Sequence, residues 1–403
     1  MKSFADAGLR PQTLAALAAL GITEPVPVQA ETIPHLMAGE DVVIEAPTGS
    51  GKTLAFLIPM VERLPRGASW PRAMVVTPTR ELALQVEKVL RSLRTDLRSA
   101  VLYGGVGYAT QRLALRQGVD VVVGTPGRIM DLSAQGKLSL SRIEYLVLDE
   151  ADEMFDAGFA PIVEKLLAQT YEPQTVLASA TMPPWVTRVI EKHTRNRHEV
   201  RVASAAESGL EHGVLRVARE HKLQTLSRVL NRHDGAAIVF GRTKHGVNKL
   251  NHNLRRLGHD SVELQGNLSQ VVRDRAMASF RGGRSRILVA TNVAARGIDI
   301  DNVGLVVNFD LPDSAHWLTH RVGRTARMGD TGRALTFVTP EDEFAWMKLT
   351  RQGAFAIREI DAARFIDDGL WHYKDHRTGA PPRGGGPRRW QSRKRGRSEA
   401  ARV

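Results

Sequence analysis

The chain has no cysteine. Disulfide staples and thiolate metal centres are therefore excluded, and a reducing compartment is the natural setting. Long apolar runs are missing too: nothing approaches the roughly 18 uninterrupted residues that a membrane-spanning helix needs. The opening residues, MKSFADAGLRPQ, lack the apolar stretch of a secretory signal. These absences lead to the expectation of a soluble cytoplasmic protein. Acids are scarce at the carboxyl end, where residues 376–403 hold nine Lys and Arg against the single acid Glu399. Of the net charge of +13, that segment carries +8 and leaves +5 for the rest. A polyanionic partner is implied, because basic segments bind phosphate backbones by releasing counterions. A membrane surface is the other polyanion, but no amphipathic anchor accompanies the charge.

What remains is globular in character. The 403 residues are 42% hydrophobic and 25% charged, a length suited to two domains. From residue 41 to about 200, the runs DVVIEA, AMVVTP, SAVLYGG, DVVVGTP, EYLVLDE and TVLASAT alternate with helix-like stretches. Nearly continuous apolar strands separated by helices imply a parallel sheet covered on both faces. The pattern pauses near VASAAESGLEHG and restarts with AAIVFGRT, RILVATN, VGLVVNFD and RALTFVTP. The expected fold class is α/β: a first lobe over 1–203, a linker over 204–212, a second lobe over 213–365, and a basic disordered tail over 366–403. The tail's Gly, Pro and Arg content cannot support a packed core.

Two stretches carry chemistry. APTGSGKT (46–53) stands between the strand DVVIE and the helical TLAFLIPMVERL. Glycines let backbone N–H groups curl round an anion, and the helix amino terminus favours negative charge. Lys52 reaches outer phosphates and Thr53 can ligate Mg²⁺. Thr48, Gly49, Ser50 and Gly51 supply the loop, although the first glycine of the general pattern is Ala46 here. About one hundred residues on, VLDEADEMFDAGF (147–159) crowds acids against a buried strand end. Taken alone it is a solvated acidic turn, a metal site or a catalytic centre. Beside a phosphate loop, Asp149 is placed to hold the metal and Glu150 to deprotonate the attacking water.

Ordered together, APTGSGKT, PTREL (78–82), GG (104–105), TPGR (125–128), DEAD (149–152), SAT (179–181), ARGID (295–299) and HRVGRTAR (320–327) resemble the motifs of the DEAD-box ATP-dependent RNA helicases of helicase superfamily 2. The resemblance runs from about residue 4 to 345. It implies two RecA-like domains with ATP and Mg²⁺ held between them and single-stranded RNA lying across both. By that resemblance Gln29 reads the adenine edge, Phe4 stacks on the base, and Gly297 and Asp299 lie by the nucleotide, Asp299 on its ribose. Asp152, Ser179 and Thr181 couple hydrolysis to closure. Arg324 and Arg327 are arginine fingers, and His320 contacts the γ-phosphate or the coupling network. RNA contacts fall on Thr79, Arg80, Gly105, Thr125 and Arg128, and in the second lobe on Arg242, Thr243, Arg273, Thr291 and Arg296. Aromatics are only 5% of the chain and absent from these motifs, so backbone contacts outweigh base stacking and sequence specificity is low.

Some positions depart from the family's usual residues: Val26, Gln265, Asn292, Trp317 and Ala326. None is a phosphate, metal or finger residue, but Asn292 removes a charge near the junction of the lobes. The implied activity is RNA-dependent ATP hydrolysis with local unwinding of short duplexes. Its alternative is an ATP-gated RNA clamp or annealing chaperone. A monomer working on ribosomal or messenger ribonucleoprotein is expected. The segment after Asp152 reads as a helix start, with Glu153 and Asp156 solvated.

Overall fold

The computed structural model describes residues 1–47, 49–64, 67, 70–202, 210–292, 294, 303–325, 331–352 and 357–360. The expected tail lies outside them, as do Thr48, Arg296, Gly297, Asp299 and Arg327.

Seven strands build a first sheet: β1 (Val42–Glu45), β2 (Ala73–Val76), β3 (Ser99–Leu102), β4 (Val121–Gly124), β5 (Tyr145–Asp149), β6 (Gln174–Ser179) and β7 (His198–Arg201). Helices α1 (Pro11–Ala19), α2 (Pro27–Ala38), α3 (Lys52–Arg63), α4 (Arg80–Ser92), α5 (Ala109–Arg116), α6 (Pro126–Ala134), α7 (Ala151–Asp156), α8 (Ala160–Leu167) and α9 (Pro184–His193) alternate with them. All pairings are parallel, in the order β3-β4-β2-β5-β6-β1-β7. The continuous apolar runs follow from two-sided burial. Val42, Ile44, Val75 and Val147 enter the core on one face, and Val43, Met74, Leu146 and Leu148 enter the core on the other.

The second sheet repeats the plan with β8 (Leu210–Arg216), β9 (Ala236–Phe240), β10 (Ser261–Leu264), β11 (Ile287–Ala290), β12 (Val303–Asn308), β13 (Gly332–Val338) and β14 (Ile357–Glu359). Its helices are α10 (Lys222–Asn231), α11 (Lys244–Arg256), α12 (Gln270–Arg281), α13 (Ala315–Val322) and α14 (Glu343–Gln352). The order is β10-β11-β9-β12-β13-β8-β14, again parallel. Two RecA-like lobes are thus present. Residues 210–212, expected within the linker, already belong to β8, where Leu210, Glu211 and His212 stand opposite Gly332, Arg333 and Ala334. Leu-Glu-His-Gly has no strand alternation of its own; the sheet on both sides of it imposes the conformation. Among the described residues no helix is long and apolar enough to cross a membrane.

Candidate active site

Strand order decides where the first lobe's chemistry gathers. β5, β6 and β1 are neighbours, and the motif residues follow directly from their carboxyl ends, where parallel α/β sheets bind ligands. The register sets Glu45 opposite Ser179 and Asp149 opposite Ala178, so the phosphate loop, the acidic turn and Ser179 share one rim.

After β1 the chain turns through Gly49 (φ +84) and Gly51 (φ +97), conformations that residues with a Cβ avoid. Lys52 opens α3 with its ammonium folded onto the loop, donating to Ala46 O at 2.6 Å and Pro47 O at 2.8 Å. Burial lowers its pKa, against the opposing pull of Asp149 and Glu150. Gln29, at the start of α2, donates from Nε2 to Gly51 O and accepts at Oε1 from Val26 N, both at 3.2 Å. One amide hydrogen and one lone pair remain, the pair an adenine edge requires. Phe4, expected to stack on the base, is 3% exposed and packs in the first lobe's core, so it presents no open face.

Beyond β5 the backbone bends sharply. Glu150 has φ +51 and ψ +54, a left-handed conformation rare for a residue with a side chain. Such strain persists where packing over-determines it, and functional sites are where it concentrates. Burial pushes the Asp149 carboxyl up to about 6, only partly offset by Lys52. Burial, reinforced by the charges of Glu153 and Asp149, pushes Glu150 well above the usual carboxylate range. Glu150 Oε2 is buried with no hydrogen-bond donor among the described residues. A buried acidic pair short of positive charge suits a divalent cation, with Asp149 and the partly buried Thr53 as its holders.

Asp152, Ser179 and Thr181 are brought together as expected. Thr181 donates from both N and Oγ1 to Asp152 Oδ2 at 2.9 Å, and Ser179 Oγ donates to Thr181 O at 2.7 Å. The second lobe meets this cluster through α13. His320 Nε2 lies 3.5 Å from Asp152 Oδ2, His320 Nδ1 lies 3.1 Å from Glu153 Oε1, and Arg324 Nη2 lies 4.0 Å from the same Glu153 oxygen. Burial works against a charged His320, but Asp152 and Glu153 outweigh it and carry the imidazole up to about 10. The expectation that Glu153 is solvated is thus corrected: it is fully buried at the junction, against His320 and Arg324 of lobe two. Asp156 is exposed.

The residues expected to touch RNA fall largely at helix amino termini. Thr79 caps α4 and Thr243 caps α11, each accepting a backbone N–H with its hydroxyl, and Thr125 precedes α6. Helix starts favour phosphate. Gly105 takes φ +80 in an exposed loop. Arg80 lies over the Tyr103 ring, and its Nε and Nη1 are buried without an acceptor among the described residues. Arg128 differs: it is 6% exposed, donates to Gln111 Oε1 and Val106 O, and packs over Tyr108. These bonds brace the loop that follows the diglycine. Thr291 is buried at the end of β11, and Arg242 is exposed. Arg273 reaches across the junction to Glu81 Oε1 at 2.8 Å, and Asp274 lies 3.7 Å from Arg80. Glu81, Asp274 and Glu153 escaped the sequence reading, since nothing in one lobe's local pattern reports a partner in the other.

Comparison with known proteins agrees with this geometry. The family model for the DEAD/DEAH box helicase matches residues 26–189, and that for the helicase conserved C-terminal domain matches residues 221–329. The chain is 42% identical over 360 residues to the ATP-dependent RNA helicase DeaD of Mycobacterium tuberculosis, covering 87% of this chain and 64% of that one. It is 40% identical over 347 residues to the DEAD-box ATP-dependent RNA helicase CshA of Bacillus licheniformis, covering 85% and 71%. Against DeaD of Escherichia coli (strain K12) it spans 58% of the relative's length, so it corresponds to only part of the DeaD proteins. The structure of Saccharomyces cerevisiae Dbp5 bound to RNA and ADP BeF3 superposes with a TM-score of 0.82 at 29% identity, covering 91% of this chain and 97% of that one. With its motifs in order on two matching lobes and relatives aligned along most of its length, the chain belongs to the DEAD-box helicase family.

Proposed function

We propose that the chain is an RNA-dependent ATPase that locally opens short RNA duplexes or remodels ribonucleoprotein, with ATP bound between the lobes. The observation that carries the reading is the cross-lobe contact at the acidic turn, where His320 and Arg324 of lobe two meet Asp152 and Glu153 of lobe one. Lys52 leaves the loop carbonyls for the outer phosphates of ATP, and Gln29 holds the adenine. Glu150 takes the proton of the attacking water, while Arg324, with Arg327, neutralises charge on the transferring group. Thr53 and Asp149 hold Mg²⁺, which when bound supplies positive charge to the phosphates. Because the finger comes from the other lobe, hydrolysis requires closure, and ATP and RNA favour the same closed state.

RNA lies across both lobes on Thr79, Arg80, Gly105, Thr125, Arg242, Thr243, Arg273, Thr291 and Arg296. The unpartnered nitrogens of Arg80 and the capped helix starts support phosphate contacts with little sequence preference. Arg128 acts by bracing its loop. We take the lobes as 1–203 and 210–365, with the basic segment from 366 holding RNA near them. A cytoplasmic monomer acting on ribosomal or messenger ribonucleoprotein fits the charge and the lack of cysteine.

The second reading, an RNA clamp or annealing chaperone, is favoured by one feature: the neutral Asn292 at the base of α13, which softens the link between fingers and cleft. Strand displacement from a short RNA duplex separates the two. ATP-dependent displacement supports unwinding, whereas intact RNA-stimulated hydrolysis without displacement makes the chain a clamp.

A further inference from the structure

Glu153 takes no chemical step in the scheme above, yet among the described residues no carboxylate in the cleft is more deeply enclosed. It is the first residue after the acidic tetrad, in the first turn of α7, and is 0% exposed. Its backbone N–H donates to Asp152 Oδ1 at 3.0 Å, which ties its position to the residue that also holds Thr181. Among the described residues, the cations within 4.0 Å of its carboxylate come from the opposite lobe: His320 Nδ1 at 3.1 Å and Arg324 Nη2 at 4.0 Å. His320 therefore lies between successive acids, one ring nitrogen toward Asp152 and the other toward Glu153. An imidazole facing carboxylates on both sides is held as the doubly protonated cation.

The two contacts differ in kind. The histidine is at hydrogen-bonding range. The arginine is at ion-pair range, close enough to be attracted and aimed without surrendering a short bond to Glu153. Beside them Glu153, Trp317, His320 and Arg324 line a cavity of about 10 Å³, room for a single water. A buried carboxylate without a cation is strongly disfavoured, and at the junction lobe two supplies the cations that compensate the burial of Glu153.

We propose that Glu153 is a positioning residue for hydrolysis: when the cleft closes it docks His320 and Arg324 of the second lobe, setting the Arg324 guanidinium for the outer phosphate. This deepens the ATPase reading and rests on it. The role differs from that of Asp152, whose Oδ2 faces His320 Nε2 at 3.5 Å while also accepting two hydrogen bonds from Thr181 within lobe one.

The test is a double-mutant cycle on the full chain, with Glu153→Gln, His320→Gln and the pair. ATP turnover is read with poly(U) RNA, and lobe closure by energy transfer between dyes. The lack of native cysteine lets single cysteines be introduced at Tyr171 in lobe one and Phe344 in lobe two, both far exposed at 77% and 79%. Glu153→Gln is expected to lower kcat and the closed population each by about tenfold, the scale of one lost charge-assisted contact. KM for ATP should rise by no more than the closed population falls, because ATP favours closure but the phosphate loop is untouched. The double variant should be no worse than the poorer single one, and Glu153→Asp should recover part of the closure. Unchanged turnover and closure in Glu153→Gln, single effects that multiply, or a change in KM with kcat intact would each overturn the proposal. Closure is also read with a non-hydrolysable ATP analogue and poly(U). A wild type that fails to hydrolyse ATP would remove the ATPase reading, while this arm still decides whether Glu153 docks the second lobe.

Discussion

Replacing Asn292 by aspartate should tighten the second lobe. Arg321, one residue after His320, is among the most deeply buried side chains of the molecule, 2% exposed. Nε donates to Asn292 Oδ1 at 2.6 Å, and Nη1 donates to Asn308 Oδ1 at 3.1 Å and to Asp310 O at 2.6 Å. The guanidinium packs over Phe240, and Nη2 has no acceptor among the described residues. Among the described residues every acceptor it has is a neutral oxygen. Burial accordingly brings its pKa down to about 9, against the weaker opposing charges of Asp310 and Asp313.

Asn292→Asp puts a carboxylate where an amide oxygen now accepts, and offers a second oxygen to Nη2. A charged acceptor improves a hydrogen bond by about 1 kcal/mol over a neutral one, and satisfying Nη2 adds a similar amount. Desolvating the new carboxylate takes back part of this. A net gain of about 1.4 kcal/mol follows, or about tenfold. Native-state hydrogen exchange reads it directly: amides of β9 and β12, which carry Phe240 and Asn308, should exchange about tenfold more slowly. Unchanged or faster exchange would refute the reasoning and mean that desolvation cancels the pairing.

Three further outcomes follow from the geometry. Gly51→Ala should weaken binding of a fluorescent adenine nucleotide by at least about tenfold with the fold intact, since its Cβ would lie 2.8 Å from Gln29 Nε2 and Val26 Cγ2 at φ +97; an unchanged Kd would detach Gln29 from the loop. Glu150→Gly should raise first-lobe stability to urea by about 1 kcal/mol by relieving the left-handed backbone while abolishing hydrolysis, and a fall in stability would show the turn to be unstrained. Burial holds His212 neutral, its pKa lowered to about 4. Above the unfolded value of about 6.5 neither state gains a proton; as pH falls from there toward 4 the unfolded chain does, so up to about 3 kcal/mol of second-lobe stability is lost. His212→Gln should flatten the urea midpoint of that lobe between pH 7 and pH 5, and an unaltered slope would assign the loss to other groups.

Much of this molecule is legible in its sequence because parallel strands buried on both faces declare themselves. The runs behind β1 to β6, β9 and β11 to β13 are nearly all apolar, and the first lobe's motifs lie at the carboxyl ends of β1 to β6. The strands that stay hidden are β7, β10 and β14 at sheet edges, where His198, Glu199, Glu263 and Arg358 dilute the pattern, and β8, whose first residues look like linker. The phosphate loop and the Asp152–Ser179–Thr181 cluster are local enough to read. Glu153 is not, because His320 and Arg324 that face it belong to the other lobe. The hydrogen bonds of Arg128 to Gln111 and Val106 are equally hidden, because an arginine in a motif reads the same whether its guanidinium is free or held. The burial of Phe4 appears only once the core that surrounds it is assembled.

The central claim is that Glu150 performs hydrolysis in a cleft that RNA helps to close. ATP turnover of the full chain should be measured with and without single-stranded RNA, for the wild type and for Glu150→Gln, alongside nucleotide and RNA binding by both. The wild type should be stimulated by RNA, and Glu150→Gln should bind both ligands while turnover is lost. Turnover by Glu150→Gln at the wild-type rate would contradict the assignment.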